Sequence, residues 1–300
     1  MSTSVLAPML AHDPAALATR RPSGVLLSAL GLWRTRVGLT LVIVLGGIAL
    51  LGPLLAPHGP ADFVGLPNTG PSAAARFGTD HIGQDVWSRF LDGGAEILAL
   101  ATLATLLGLA LGSTLGMVAA YSRGLADDVI MRGMDVILAF PQIMLVLVAI
   151  STLGPSGWLI VLSVGLTTMP RVARVTRGAA QPIVERDFVA AAEALGVRRP
   201  GILFGEVFPN ILSPLMVEAS LRLTYSIGVI ASLAFLGFAS NLNAPDWGLM
   251  IQENQVALVV QPWGVVLPMI AVALLTIGTG LVGDGIARAA AGIDRDRRTE

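Results

Sequence analysis

The chain has 300 residues, of which 54% are hydrophobic and only 13% are charged, and its mean hydropathy is +0.75. A soluble domain carries about 25% charged residues, so the composition excludes an ordinary soluble protein and indicates a membrane protein. The absence of cysteine excludes disulfides and thiolate metal sites, and the formal net charge of −1 argues against nucleic acid as a partner.

Six segments are long and apolar enough to cross a bilayer, which takes about 20 helical residues. Because backbone polar groups must be hydrogen-bonded within lipid, each segment is predicted to be a helix. The predicted fold class is all-α, a polytopic bundle of six transmembrane helices over residues 37–285, between a lead-in at 1–36 and a tail at 286–300. The predicted spans are 37–56, 95–120, 132–152, 157–175, 211–237 and 262–284.

The arginines predict the orientation of the bundle. All 19 basic residues are arginines, and Arg76 and Arg89 both fall in the connection 57–94, on the opposite side of the bundle from the arginine-rich connections. The positive-inside rule therefore predicts that both termini are cytoplasmic. The arginines on the predicted cytoplasmic side are Arg20, Arg21, Arg34, Arg36, Arg123, Arg132, Arg171, Arg174, Arg177, Arg186, Arg198, Arg199, Arg288, Arg295, Arg297 and Arg298.

A cleaved signal peptide is the competing interpretation of the N-terminus. The first apolar run begins only at Val37 and is about twice as long as a typical signal core. This favours a retained span, preceded by a loosely ordered cytoplasmic lead-in rich in Ala, Pro and polar residues.

Two connections on the predicted external side, 57–94 and 238–261, are long and carry distinctive residues. His81 with Asp80 and Asp85 could form a metal site, but one histidine with two short acids is more typical of a hydrogen-bonded loop cluster. The candidate functional residues in these connections are Asp80, Gly83, Asp85, Trp87, Arg89, Trp247 and Gly248.

The connection 176–210 is long, and its pattern predicts helices. Pro182 suits the first turn of a helix, Gly196 suits a left-handed C-terminal cap, Pro200 can begin a second short helix, and Pro209 can end it. Four residues at i, i+3, i+4 and i+7 would form one apolar face, namely Phe188, Ala191, Ala192 and Leu195.

This helix could lie on the membrane surface or bind another protein. Its alanine-rich face would bury little area in lipid but would allow a protein to approach closely. Its acids, Glu185, Asp187 and Glu193, are poor neighbours for anionic headgroups. The pattern therefore favours a docking helix for a cytoplasmic partner.

The same segment carries a family resemblance. Residues 188–196, which include Ala190, Ala191, Ala192, Glu193 and Gly196, followed by 206–210 with Pro209, resemble the EAA loop of ABC importer permeases. Gly196 and Pro209 have the spacing of that loop. Ala190 occupies the family's Glu position, and Glu206 replaces an apolar residue.

Three further motifs resemble the dipeptide, oligopeptide and nickel branch of that family. Residues 77–89 are similar to its LGTDxxGRDxxSR segment, with Gln84 where Arg is usual. Residues 135–141 resemble its DxxLAFP entry to span three, and residues 231–237 with 245–248 resemble its ASLSFLG…PxWG element. The resemblance covers about residues 28–298 and fits the C-type subunit best.

The resemblance implies a type I ABC importer permease in a bacterial plasma membrane, forming half of a pathway for dipeptides or oligopeptides. It also implies a second homologous permease, two cytoplasmic ATPases and an extracytoplasmic binding protein. The sequence has no phosphate-binding GxxxxGK[ST] loop. ATP and Mg²⁺ are therefore expected on the ATPases, with neither enzymatic activity nor a cofactor on this chain. Nickel or glutathione is the alternative substrate, and a stand-alone secondary transporter or a purely structural subunit is the alternative class.

Two features within the spans have more than one interpretation. Gly108, Gly112 and Gly116 would permit close crossings of moving helices or serve as ordinary static packing. Glu218 and Arg222 are four residues apart in span five. Since intramembrane charges are costly, an internal ion pair is favoured over a contact of Arg222 with substrate or with another subunit.

Overall fold

The computed structural model describes residues 27–122 and 124–291, and the expectations for residues 1–26, Arg123 and the tail from 292 lie outside them. The helices are α1 (Trp33–Leu55), α2 (Val86–Asp92), α3 (Gly94–Ser122), α4 (Gly124–Leu138), α5 (Gln142–Leu153), α6 (Gly157–Val184), α7 (Asp187–Ala194), α8 (Arg199–Gly201), α9 (Phe208–Asn210), α10 (Leu212–Phe235), α11 (Trp247–Asn254) and α12 (Trp263–Ala291), with a π-helical turn at Ile202–Val207.

The number of membrane crossings agrees with the expected bundle. Within the described residues, four helical segments are individually long and apolar enough to cross a membrane: α1, α2 with α3, α6 and α12. Two bent pairs bring the number to as many as six if each pair counts as one span. The all-helical bundle expected from the sequence is therefore confirmed.

Span three differs from the single helix predicted over 132–152. Helices α4 and α5 meet at an angle of 78°, with Pro141 in an extended conformation between them. Proline lacks a backbone N–H and disfavours helical geometry in the preceding residue, so the helix breaks at this point. The motif ending in Phe140 and Pro141 therefore marks a bend within the span, and α5 alone, at about 18 Å, is too short to cross.

Span four is longer than the predicted 157–175. Helix α6 continues to Val184, and Pro182 lies inside its last turn and does not begin a new helix. Arg171, Arg174 and Arg177 therefore belong to the helix and not to a connection. Two of these arginines form ion pairs with α4. Arg174 pairs with Asp135, and Arg177 pairs with Asp127, with 2.6 Å from Nε to Oδ1.

Helices α3 and α6 pack backbone against backbone along a row of glycines. A Cβ atom at Gly112 would lie 2.7 Å from the carbonyl oxygen of Met169, and one at Gly116 would lie 2.5 Å from that of Ala173. Small side chains permit this approach of two backbones. The glycines at 108, 112 and 116 therefore serve close packing in this conformation.

The two ends of the bundle differ in charge. At one end, called the arginine-rich end, Thr35 packs on Gly285 and Ile183 faces the same cavity as Ala287. At the other, called the tryptophan end, Trp247 packs on the backbone of α3 at Gly94. The described arginines near helix termini at the arginine-rich end are Arg34, Arg36, Arg186, Arg198, Arg199 and Arg288.

Candidate functional site

The short helix α7 lies at the arginine-rich end and has a well-defined C-terminus. Gly196 adopts a φ of +77°, which confirms the predicted left-handed cap. Its N–H donates to the carbonyl of Glu193 at 2.9 Å, and the N–H of Val197 donates to that of Ala192 at 3.1 Å. This pair of bonds satisfies carbonyls that the end of a helix leaves free, so α7 stops abruptly after two turns.

The two faces of α7 have different environments. Val189 and Ala192 are buried and belong to one apolar cluster with Ile202 and Val207 of the π-helical turn. Phe188, Ala191 and Leu195 are exposed, and Leu195 is 84% exposed. The predicted apolar face is thus wrong in one respect: Ala192 turns inward with Val189, which the spacing had not included, because the bundle packs against that side.

The remaining residues of the predicted docking segment lie around this helix. Glu193, which lies beside Tyr121 at the end of α3, and Ala190 are both exposed. Pro209 lies in the one-turn helix α9, and the chain then bends by 76° into α10. Proline therefore sits immediately before the bend, as expected, although it is part of a helical turn.

At the tryptophan end, the two long connections fold together around Arg89. This side chain is buried, and its Nη1 donates to Asp80, which is fully buried. Its Nη2 donates to Glu253 Oε2 at 2.9 Å. A buried charge is costly unless it is paired, so the contact of Arg89 with Glu253 fixes the first connection to the second.

Two aspartates at the same end cap helices. Asp85 accepts from the N–H of Ser88 at 3.1 Å, and Asp246 accepts from the N–H of Gly248 at 2.8 Å. These are N-caps, which supply an acceptor to the free donors of a first turn. Burial raises the pKa of the Asp246 carboxyl to about 6, although its backbone hydrogen bonds act in the opposite direction.

Trp87 and Trp247 build the aromatic core of this end. Trp247 is fully buried and stacks on Phe90 at 5.6 Å between ring centres, and Phe90 stacks on Trp87 at 5.6 Å. Gly248 permits α11 to approach α10, because a Cβ there would lie 2.5 Å from the carbonyl oxygen of Ala231. The external-loop residues predicted from sequence therefore form one packed cap.

The tip of the first connection contains Gly83 and the histidine and aspartates considered above as a metal site. Gly83 adopts a φ of +96°, and a Cβ there would lie 2.3 Å from the carbonyl oxygen of Gly65. His81 lies 4.0 Å from Glu253 Oε2, whereas Asp85 faces His58 at 3.5 Å. Across 27–122 and 124–291, no three His, Asp or Glu residues are grouped to hold a metal ion.

The charged pair of span five is buried within the bundle. Arg222 Nε lies 2.9 Å from Glu218 Oε1, and the two side chains are 11% and 6% exposed. In the part of the chain that the structure describes, the buried Arg222 Nη1 atom has no hydrogen-bond partner. The two charges of the pair cancel, and Arg222 Nη1 can still donate a hydrogen bond to another group.

Three further residues, which the sequence did not single out, complete the cap. Glu253 binds Arg89, Asn254 Oδ1 accepts from the N–H of His81 at 3.0 Å, and Gln261 Nε2 donates to the carbonyl of Phe77 at 2.6 Å. The available signal was a group of polar residues in the second connection, which could pair with Arg89 in the first.

Comparison with known proteins identifies the family. The family model described as "Binding-protein-dependent transport system inner membrane component" matches residues 112–291. The chain belongs to this family. It is a permease of the ABC importer class with the type I fold, a multi-pass membrane protein that works with other subunits, and a transport component with no enzymatic role.

Characterised relatives match along most of the permease. The glutathione transport system permease protein GsiD of Pectobacterium atrosepticum is 33% identical over 247 residues, which cover 82% of each chain. The dipeptide transport system permease protein DppC of Alkalihalophilus pseudofirmus is 32% identical over 253 residues, which cover 83% of each chain. These relatives confirm the resemblance to the dipeptide branch.

Proposed function

We propose that this permease forms half of the pathway of an ATP-driven peptide importer and that α7 binds a cytoplasmic ATPase. The observation that carries this proposal is the exposed apolar face of α7. Phe188, Ala191 and Leu195 project from a helix whose opposite face is anchored in the bundle. An anchored helix with an exposed apolar face is suited to a groove on another protein.

The packing beneath α7 offers a route for mechanical coupling. Val189 and Ala192 belong to one buried cluster with Ile202, Ile211 and Leu215, and the last of these lies in the first turn of α10. A close-packed cluster moves as a unit. Displacement of α7 by a closing ATPase dimer would therefore move α10 and the ends of α3 and α6 between inward- and outward-facing states.

The orientation and the partners follow from the same assignment. With the arginine-rich end in the cytoplasm, α7 faces the ATPases and the tryptophan-end cap faces the binding protein. The assembly would contain a second permease, two ATPases that hold ATP and Mg²⁺, and an extracytoplasmic binding protein. Both termini of this chain would then be cytoplasmic, in the plasma membrane of a bacterial cell.

The substrate class is proposed from the two relatives. Their names give a dipeptide and glutathione as transported solutes, and both are short peptides with free carboxylates. A dipeptide or oligopeptide is therefore the first candidate for this chain and glutathione the second. Their shared chemistry is a small amide-linked molecule with charged ends.

The test is the variant Ala191→Arg, with Ala191→Ser as the matched control. In proteoliposomes containing the whole importer, the arginine should block the close approach of the ATPase, while serine keeps the small volume. Peptide uptake and substrate-stimulated ATP hydrolysis should both fall at least about ten-fold in Ala191→Arg and stay near wild type in Ala191→Ser. Gly196→Asp, which strains the left-handed cap, should also uncouple transport.

The docking assignment fails if Ala191→Arg assembles at wild-type levels and retains full stimulation. The peptide assignment fails separately if the wild-type importer transports neither dipeptides nor glutathione. Transport by the purified chain alone would favour a secondary transporter.

A further inference from the structure

Two arginines from different helices share one aromatic ring inside the bundle. The guanidinium carbons of Arg171 on α6 and Arg222 on α10 each lie 5.5 Å from the ring centre of Tyr225, so they are at most twice that distance apart. Both distances are within the range of cation–π attraction. Tyr225 is 55% exposed, although it lies in the middle of α10.

Arg171 has no neutralising partner within the described residues. Arg222 is paired with Glu218, whereas the side chain of Arg171 makes a single hydrogen bond to the described residues, a long one of 3.4 Å to Gln142 Oε1. The buried Gln142 Nε2 atom also lacks a partner in the described part of the chain. The cluster of Arg171, Arg222, Tyr225, Gln142 and Glu218 therefore has one uncompensated positive charge.

The position of Arg171 makes this charge significant. It is the fifteenth of the 28 residues of α6, so it lies near the middle of the helix, about 21 Å from its first residue at a rise of 1.5 Å per residue. An unpaired guanidinium at that depth is costly in lipid and must face a polar path or an anion.

A cavity at the arginine-rich end reaches Glu218, the partner of Arg222. Its volume is about 760 Å³, and it lies between α6, α10 and the end of α12. Most of its lining is apolar, including Val175, Ala179 and Val217, and Glu218 also lines it. Arg171 precedes Val175 by one helical turn, so the cationic cluster continues the α6 wall of the cavity toward the bundle interior.

We propose that the Arg171–Tyr225–Arg222 cluster binds the carboxylate of the transported solute during its passage through the membrane. A guanidinium holds a carboxylate with two parallel hydrogen bonds, and the aromatic ring keeps both guanidinium groups facing the same space. The apolar cavity beyond accommodates the side chains of a short peptide. This inference rests on the proposed peptide-import function and adds a site for one chemical group of the substrate.

The experiment compares Arg171→Gln with Arg174→Gln in proteoliposomes containing the complete importer. Arg174 is the matched control, because it lies on the same helix and is exposed and paired with Asp135. The probes are alanyl-alanine and its C-terminal amide, each at a concentration that saturates the binding protein. Loss of a charge-assisted pair should lower uptake of the free acid about ten- to a hundred-fold in Arg171→Gln only, with uptake of the amide unchanged.

A second measurement locates the C-terminal side chain of the bound peptide. A dipeptide whose C-terminal residue is benzoylphenylalanine is photolysed during turnover, and the adducts are mapped by mass spectrometry. With the carboxylate held by the cluster, adducts should fall in the apolar cavity, at or next to Val175, Ala179 or Val217, in the wild type and disappear in Arg171→Gln, whereas Arg174→Gln should retain them. Arg171→Lys should restore part of the uptake, since it keeps the charge but loses the bidentate fork.

The outcomes separate the two proposals. If the wild type imports peptides but Arg171→Gln matches Arg174→Gln, or lowers acid and amide equally, the carboxylate site is overturned and peptide import stands. If Arg171→Gln lowers uptake of the acid and the amide equally and also impairs assembly of the importer, the result would instead place an acidic residue of the second permease against Arg171. If the wild type imports no peptide, the proposed function itself is overturned.

Discussion

The indole N–H of Trp247 donates a 2.8 Å hydrogen bond to the carbonyl oxygen of Phe90, across 157 residues of sequence. Trp247 is fully buried and also stacks on the Phe90 ring. One side chain therefore supplies both the apolar contact and the polar contact that join the two long connections at the tryptophan end.

Trp247→Phe should separate these two contributions. Phenylalanine keeps most of the stacking but leaves the buried Phe90 carbonyl without its indole donor, at a cost of about 1–3 kcal/mol in the free energy of unfolding. Trp247→Ala also opens a cavity and should cost about 3–5 kcal/mol. Unfolding of the purified protein in detergent, followed by circular dichroism, measures both. A Trp247→Phe protein as stable as the wild type would contradict the contribution of the hydrogen bond, and a Trp247→Ala protein no less stable than Trp247→Phe would contradict that of the ring packing.

Arg89→Gln should be among the most damaging substitutions at the same end. It leaves the fully buried Asp80 carboxylate unpaired, and breaking a buried ion pair costs about 3–5 kcal/mol. Glu253→Gln should cost less, because Glu253 is 16% exposed and its amide can still accept from Arg89. A double-mutant cycle between Arg89 and Glu253 by chemical denaturation gives their coupling energy. A coupling near zero would show that the contact does not join the connections.

Asp246 should make the stability of the cap depend on pH. Burial raises the pKa of its carboxyl from 3.8 to about 6 in the folded protein, so between about pH 4 and 6 the folded state holds a proton that the unfolded state releases. The contribution of Asp246 to stability therefore falls as pH rises toward and through 6.

Asp246→Asn tests this sign, because asparagine caps a helix as well as aspartate but has no charge to bury. Thermal unfolding midpoints at pH 5 and pH 7.5 should differ more in the wild type than in the variant. The difference between the two proteins cancels the other titrating groups. A wild-type midpoint that rises relative to Asp246→Asn over this interval would reverse the assignment.

Gly112→Ala and Gly46→Ala should have effects of opposite sign. A methyl group at Gly112 would meet the backbone of α6, and such overpacking costs about 1–3 kcal/mol. At Gly46 nothing lies within 4 Å, so alanine should stabilise the helix by up to about 1 kcal/mol. The two thermal midpoints, compared with wild type, give the test. A stabilised Gly112→Ala protein would refute the close approach of α3 and α6.

The sequence predicted local features of the helices better than contacts between distant residues. The left-handed cap at Gly196 follows from a glycine after an amphipathic run, and that signal is contained within a few residues. The 78° bend in span three was not predicted. Pro141 was a signal for it, but the apolar residues on both sides of the proline suggested one continuous helix. The length of α6 was not predicted, because its arginines indicated a cytoplasmic connection. In the structure, Arg174 and Arg177 pair with Asp135 and Asp127 on α4.

The sequence by itself determined that this protein is a helical membrane bundle of the binding-protein-dependent permease family, since transfer of apolar runs into lipid and helix capping depend on nearby residues. Only the tertiary structure decided that Arg89 meets Glu253, that Ala192 faces inward while Ala191 faces out, and that Arg171 and Arg222 flank Tyr225. Those relationships depend on how distant helices pack, and the balance of burial and pairing energies that selects them is not contained in any single segment.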